Sequence, residues 1–196
     1  MLTANCSSRT EFLDALDLSY SDVCPVNAAT ESTAATASTP IMIINDAETL
    51  GKIGRDPNYP LNGTYQQTAD IVVTKDYQSI GNDTHPFTGE YDGQDRTISG
   101  LSDCFVDTLE GSISHLHFTR AEITNSWKTT GLAACVVDVN GTVSNIRAEN
   151  VDIVTSGWFA NAGIGGGQVY GGTVANTTAV NSMVVTLGKF ADAGMG

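Results

Sequence analysis

A repeated segment constrains this sequence more than any other feature. Its copies begin at Gly111, Gly141 and Gly172, and each contains a further glycine-led piece toward its end, such as Gly131-Leu132-Ala133-Ala134 in the first copy. A period of about 31 residues is typical of solenoids, in which each repeat forms one coil and stacks on the next. We therefore predict a solenoid for this part of the chain.

The middle copy indicates how one coil is built. Apolar and polar residues alternate along it, as in short strands with one buried face, and the abundance of Gly, Thr, Ser, Asn and Val favours strands and turns over helices. Asn145 and Asn150 are predicted at corners, because Asn tolerates a left-handed backbone, whereas Arg147 and Asp152 are predicted to face solvent. The predicted core positions are Val143, Ile146, Ala148, Val151 and Ile153.

The rest of the sequence divides into a tail and the lead-in to the repeats. Residues 1–40 are predicted to form an N-terminal tail, with a short helix at about 9–18 followed by a flexible linker rich in Ala, Ser and Thr. The β-helix domain is predicted to span 41–196. Its first part, 41–110, holds a cap and the first coils, and 111–196 holds the three repeats.

The two ends of the predicted solenoid need cover, because a free strand edge can pair with another chain. A short helix over 47–53, capped by Asn45 or Asp46 and ended by Gly54, is predicted to cover the first coil. The sequence stops at Gly196, within the third coil. We expect either a fragment of a longer protein or a partner that covers this end.

Several short motifs before and within the repeats occur in a distinctive order. They include Ala47-Glu48-Thr49-Leu50-Gly51-Lys52-Ile53-Gly54, Pro86-Phe87-Thr88-Gly89-Glu90-Tyr91-Asp92-Gly93, Thr97-Ile98-Ser99-Gly100-Leu101 and the repeated glycine-led piece. Over about 47–196 the chain resembles bacterial GLUG-motif proteins, although no copy has the complete Gly-Leu-x-Gly form. The resemblance implies a right-handed parallel β-helix in a secreted or surface-displayed, adhesin-like bacterial protein. Such repeats also occur beside immunoglobulin A-cleaving metallopeptidase domains.

The charge distribution excludes some classes of partner. The formal net charge is −13, and the excess of acids lies mainly in 41–110, whereas the repeat region is almost neutral. Nucleic acid is therefore not an expected partner, because binding it needs clustered Lys and Arg. Membrane insertion is not expected either, since no apolar run approaches the roughly 20 residues that span a bilayer. No signal peptide is visible at the N-terminus.

The four cysteines carry no recognisable motif. Cys6, Cys24, Cys104 and Cys135 form no CxxC pair, so neither a zinc site nor a redox motif is indicated. Cys135 lies in an apolar run and is predicted to be a small buried side chain. Cys6 and Cys24 flank the predicted tail helix and could pair in an oxidising compartment, which the sequence does not decide.

Aromatic residues are the candidate binding residues. Trp127, Phe159 and Phe190 each lie four residues before a repeat glycine and are predicted to form a column along one corner. Such a column either grips a sugar chain or seals the corner as core, and the second reading is favoured because stacked aromatics are more often buried. Trp158, beside Phe159, is the better candidate for an outward-facing ring.

No catalytic, metal or cofactor site is predicted. His85, His115 and His117 are not part of an HExxH motif, and no third metal ligand accompanies the last two. Glu122 and Asp152 are expected to be neighbours on successive coils. Paired carboxylates can hydrolyse glycosides, but a solvated surface is the favoured reading of this pair.

These observations predict a non-enzymatic β-solenoid module of a secreted or cell-surface protein, which acts as an adhesive surface or a structural stalk. Its expected partners are carbohydrate, a host or cell-surface protein, and further repeats or domains of the same polypeptide. Two alternatives stay open. One is an accessory domain of a secreted peptidase or glycan-degrading enzyme, and the other is a secreted effector that uses the solenoid as a binding surface.

Overall fold

The structure, a computed structural model, describes residues 40–194. The predicted tail helix at about 9–18, the linker and the pairing of Cys6 with Cys24 fall outside the described residues. Within that range the regular secondary structure consists of strands and one six-residue helix. None of its helical structure is long and apolar enough to cross a bilayer.

The part of the described chain that precedes the repeats contains five strands and the helix. These are β1 (Ile41–Ile44), α1 (Ala47–Lys52), β2 (Thr64–Gln67), β3 (Ile71–Val72), β4 (Glu90–Ser99) and β5 (Val106–Leu109). The repeats add eleven short strands. These are β6 (Ser112–Thr119), β7 (Glu122–Asn125), β8 (Thr130–Gly131), β9 (Ala134–Val137), β10 (Thr142–Glu149), β11 (Asp152–Thr155), β12 (Ala162–Gly163), β13 (Gly166–Val169), β14 (Thr173–Val180), β15 (Met183–Thr186) and β16 (Ala193–Gly194).

The strands pair between coils in four parallel sheets. The longest has the order β1-β2-β4-β6-β10-β14, with β3 also paired to β4. The other three are β7-β11-β15, β8-β12-β16 and β5-β9-β13. Because each sheet joins equivalent strands of successive coils, the chain forms a parallel β-solenoid of about four turns with coils of about 30 residues. The predicted all-β solenoid is confirmed.

The predicted register of the repeats is also confirmed. Ile146 pairs with Leu116 below it and Thr177 above it, and Ile153 pairs with Ile123 and Val184. In the middle coil the predicted core residues are fully buried, with exposed fractions of 0 to 1%, and burial of each large aliphatic side chain contributes roughly 1.5–3 kcal/mol. The coil is thus held by a continuous apolar column.

Corner residues adopt the left-handed conformation that the sequence indicates. Asn145 has φ 54° and Asn150 has φ 54°, and their counterparts in the third coil do the same. The amide Nδ2 of Asn176 donates to Oδ1 of Asn145 at 3.1 Å. In the coil below, the Asn145 amide lies 3.1 Å from Nε2 of His115, whose Nδ1 is 3.2 Å from a carboxylate oxygen of Asp92. A side-chain ladder therefore follows this corner across four coils.

Helix α1 covers the first coils, as predicted. Its N-cap is Asp46, whose carboxylate accepts from the backbone N–H of Thr49 at 2.7 Å. That hydrogen bond is the main reason why the pKa of Asp46 is lowered. Leu50 of the helix and Ile53 at its C-cap are completely buried in the hydrophobic core, so α1 stabilises this end by burying apolar surface.

The prediction that Cys135 is buried is confirmed. The sequence analysis does not predict its partner: Cys135 forms a disulfide with Cys104, across a Cα–Cα distance of 5.5 Å. The two cysteines are 31 residues apart in sequence, which is one coil length. Stacking brings residues one coil apart into contact, so a disulfide becomes possible without any local cysteine motif.

Candidate functional site

One corner of the solenoid exposes large apolar side chains on three successive loops. The loops are 126–129, 156–161 and 187–192, and they lie over one another because the strands before and after them pair in register. The exposed side chains, which we call the aromatic corner, have exposed fractions between 68 and 91%: Trp127, Trp158, Phe159, Leu187 and Phe190.

The favoured prediction that these rings seal the corner as core is therefore wrong. Within the second loop it is Ala160 that packs inward, and it is only 2% exposed. The backbone oxygen of Ala160 accepts a hydrogen bond of 2.7 Å from the hydroxyl of the buried Thr155. Small residues and backbone thus close the corner, and the rings are left outside. Trp158 faces outward, as predicted.

The predicted column of three rings is reduced to a stacked pair. Phe159 and Phe190 stack, with centroids 5.6 Å apart and ring planes inclined by 17°. Trp127 does not join them, because the first loop is two residues shorter than the second. Its Cα instead lies beside Gly157, at 3.3 Å from the position that a Cβ on that glycine would occupy.

The difference in loop length produces a groove. Between the first and second loops lies an open volume of about 710 Å³. Its lining combines aromatic rings with hydroxyl groups, and none of the described residues that line it is charged. The lining residues are Ser126, Trp127, Thr129, Ser156, Gly157, Trp158 and Phe159.

The hydroxyls of the groove were not singled out by sequence reasoning, nor was the exposed Leu187. A signal for the groove exists in the spacing of the repeat glycines. Gly131 pairs with Gly163 over 32 residues, whereas Thr142 pairs with Ser112 over 30. The loop of the second coil that carries Trp158 and Phe159 therefore contains two more residues than the loop below it, although the whole coil is only one residue longer because its last loop, before β14, is one residue shorter.

The cation on the first loop is neutralised by its neighbours. Lys128 follows Trp127, and its ammonium group lies 2.8 Å from a carboxylate oxygen of Asp107 and 3.3 Å from one of Asp103. Burial lowers the pKa of Lys128, but the hydrogen bond to Asp107 and the charges of both carboxylates outweigh it, so the pKa is raised. Lys128 remains a cation that is paired away from the groove.

The other predicted polar groups do not assemble into an evident reaction centre. Glu122 and Asp152 are neighbours in register, as expected. Further along the outer face, Nε2 of His117 and a guanidinium nitrogen of Arg147 lie 3.5 and 3.3 Å from the same oxygen of Glu149. Arg147 and Glu149 thus form an ion pair on the outer face of the long sheet, with the His117 ring beside it.

One group of metal-ligand atoms occurs among the described residues. A carboxylate oxygen of Asp103 and the sulfurs of Cys104 and Cys135 lie within 4.8 Å of one another. Metals are bound by thiolates, and these two sulfurs are bonded to each other. The group is therefore a disulfide with a neighbouring carboxylate.

Comparison of the chain with protein-family models, curated proteins and solved structures finds no match. The similarity to GLUG-motif proteins thus stays a prediction that rests on the short motifs. The feature of the described residues that points to a function is the exposed aromatic corner.

Proposed function

We propose that this chain is a non-enzymatic β-solenoid module of a secreted or cell-surface protein, and that it binds its partner through the aromatic corner. One observation carries the proposal. Trp127 is 91% exposed, and four further large apolar side chains are at least 68% exposed beside it, in a domain whose core residues are fully buried. Exposed apolar clusters mark interaction sites, whereas single exposed apolar residues do not.

The arrangement of the corner supports a binding role. Successive coils present their loops at a regular spacing of about 4.8 Å, so a ligand that extends along the solenoid meets one loop after another. The rings sit on a scaffold of paired strands, which limits the entropy that is lost when a ligand orders them. Repeat proteins commonly use such stacked surfaces for binding.

The disulfide supports the proposed location. Structural disulfides persist in oxidising environments and are rare in the cytosol. The bond between Cys104 and Cys135 is buried and joins two coils, as expected for a structural crosslink. It is consistent with a protein that functions outside the cytosol.

The proposal is tested with arrays that carry both glycans and cell-surface proteins. Binding of the wild-type chain is compared with that of the double variant Trp127→Ala/Trp158→Ala. We expect ligands of at least one class to bind the wild type, and the double variant to lose about tenfold or more in affinity, since each ring contributes about a kcal/mol or more.

Tyr170→Ala is the matched control. Tyr170 is also an exposed aromatic residue, but it lies between β13 and β14, outside the aromatic corner. Its removal should leave the array signals unchanged. Array ligands that bind the double variant as well as the wild type would overturn the proposal.

A further inference from the structure

The groove between Trp127 and Trp158 has a composition that selects a class of ligand. We propose, on the basis of the binding role given above, that this groove takes a short stretch of an uncharged, pyranose-containing oligosaccharide. The proposal names the ligand class and the subsite. Three properties of the groove carry it: its mixed lining, its charge and its size.

The lining matches the two-sided chemistry of a sugar ring. A pyranose presents a face of C–H groups and a rim of hydroxyls, so its binding site needs flat apolar surface and hydrogen-bonding groups side by side. Trp127 and Trp158 provide the flat surface. Ser126 and Ser156 provide hydroxyls that hydrogen bond with no other residue among 40–194, and these hydroxyls can both donate and accept.

The absence of charge in the groove argues against anionic ligands. The only cation beside the first loop, Lys128, is paired with Asp103 and Asp107. An anionic polysaccharide or phospholipid surface would instead require several unpaired Lys or Arg side chains.

The size of the groove indicates more than one sugar ring. Its volume of about 710 Å³ falls in the range of roughly 300–1,000 Å³ that is usual for pockets that hold drug-sized ligands, which is the size of a short oligosaccharide segment. Gly157 lets the second loop pack closely on the first, because a Cβ there would lie 3.1 Å from the backbone oxygen of Ser126 and 2.9 Å from Cβ of Ala160. This close packing fixes the positions of the two loops that carry Trp127 and Trp158.

Intrinsic fluorescence provides a direct readout, because the chain has only two tryptophans and both line the groove. The full chain is titrated with cello-, chito- and manno-oligosaccharides, and separately with oligogalacturonides as the acidic counterpart. We expect at least one neutral series to change the emission. Its Kd should vary by less than about twofold between low and high NaCl, because screening does not affect an uncharged ligand.

Two single variants locate the site. Trp158→Ala should weaken binding of the neutral oligosaccharide by about tenfold, with the remaining Trp127 as reporter. Tyr170→Ala should bind like the wild type. Because both substituted side chains are exposed, the variants should keep the melting temperature of the wild type, which separates loss of binding from loss of folding.

The results distinguish this inference from the binding role on which it rests. Salt-independent binding of a neutral series that depends on Trp158 supports it. Tryptophan-dependent binding of only acidic oligosaccharides, or of only protein ligands on the arrays, overturns the inference and leaves the binding role standing. The inference is also overturned if none of the neutral oligosaccharide series changes the tryptophan emission.

Discussion

Aromatic side chains lie inside the solenoid from β2 to β6 and on its surface in the loops that follow. From β2 to β6, rings pack in series with centroids 5.0 to 6.5 Å apart, and each is fully buried: Tyr65, Phe87, Tyr91, Phe105 and Phe118. After β6 the exposed rings are Tyr170 and, at the aromatic corner, Trp127, Trp158, Phe159 and Phe190. The same type of side chain therefore stabilises the fold in one region and is available to a ligand in the other.

A tyrosine ring can be buried without loss when its hydroxyl group has a hydrogen-bond partner inside the core. The hydroxyl of Tyr91 donates to Oε1 of Gln67 at 3.0 Å, and the amide of Gln67 donates to two backbone oxygens. Burial raises the pKa of Tyr91 well above its usual value, so the phenol stays protonated and remains a donor. In the second repeat, Ala148 is buried at the register position that Phe118 holds one coil below, so a small side chain replaces the ring in the core.

The largest expected effect separates inward from outward positions on a single strand. Ile153→Asp should destabilise the fold by more than about 4 kcal/mol, because it buries a carboxylate without a partner. Asp152→Lys, one residue earlier on the exposed face, should change stability by less than about 0.5 kcal/mol. Thermal and urea unfolding of the two variants measures both effects, and equal losses would show that the register is wrong.

Replacing a ring by Ala should destabilise the fold strongly in the buried aromatic region and only slightly at the aromatic corner. Phe105→Ala should cost about 3–5 kcal/mol of unfolding free energy, because it removes a buried ring that contacts Tyr91 and Phe118. Phe159→Ala should cost less than about 1 kcal/mol, since its ring is exposed and loses only the contact with Phe190. Urea unfolding measures both values. A loss for Phe159→Ala as large as that for Phe105→Ala would mean that the aromatic corner is part of the core.

The disulfide links the first coils to the repeats, and its expected contribution is intermediate. It closes a segment of 31 residues, for which the loss of chain entropy in the unfolded state gives about 3–4 kcal/mol. Cys104→Ala/Cys135→Ala should therefore be less stable than the wild type by about that amount in oxidising buffer. In reducing buffer the difference should shrink to the packing of the two sulfurs, and an unchanged difference would contradict a crosslink.

Sequence periodicity predicts the strands of the repeats well, because alternation and the coil length act on every strand in the same way. Val143, Ile146 and Ile153 face the core and Arg147 faces solvent, as the alternation indicates. Helix α1 is also predicted, since its Asp46 cap and its apolar face are local features of the sequence. These parts depend only on neighbours along the chain or one coil away.

The loops and the disulfide were not predictable in the same way. Whether Phe159 or its neighbour Ala160 packs inward depends on how the loop turns at the corner. In the folded coil it is Ala160 that is buried, and this is not visible from the local sequence. Cys104 precedes the recognisable repeats, so its position one coil below Cys135 is visible only when the earlier coils have been placed. The groove beside Trp127 depends on the unequal lengths of two loops that are remote in sequence.

Acrylamide quenching of tryptophan fluorescence, with and without a saturating ligand, tests the binding role of the aromatic corner most directly. Trp127 and Trp158 are both exposed, so the free chain should be quenched nearly as strongly as free tryptophan. A ligand that occupies the groove should protect both rings and lower the quenching constant severalfold. Weak quenching in the free chain, or strong quenching that the bound ligand leaves unchanged, would contradict the account.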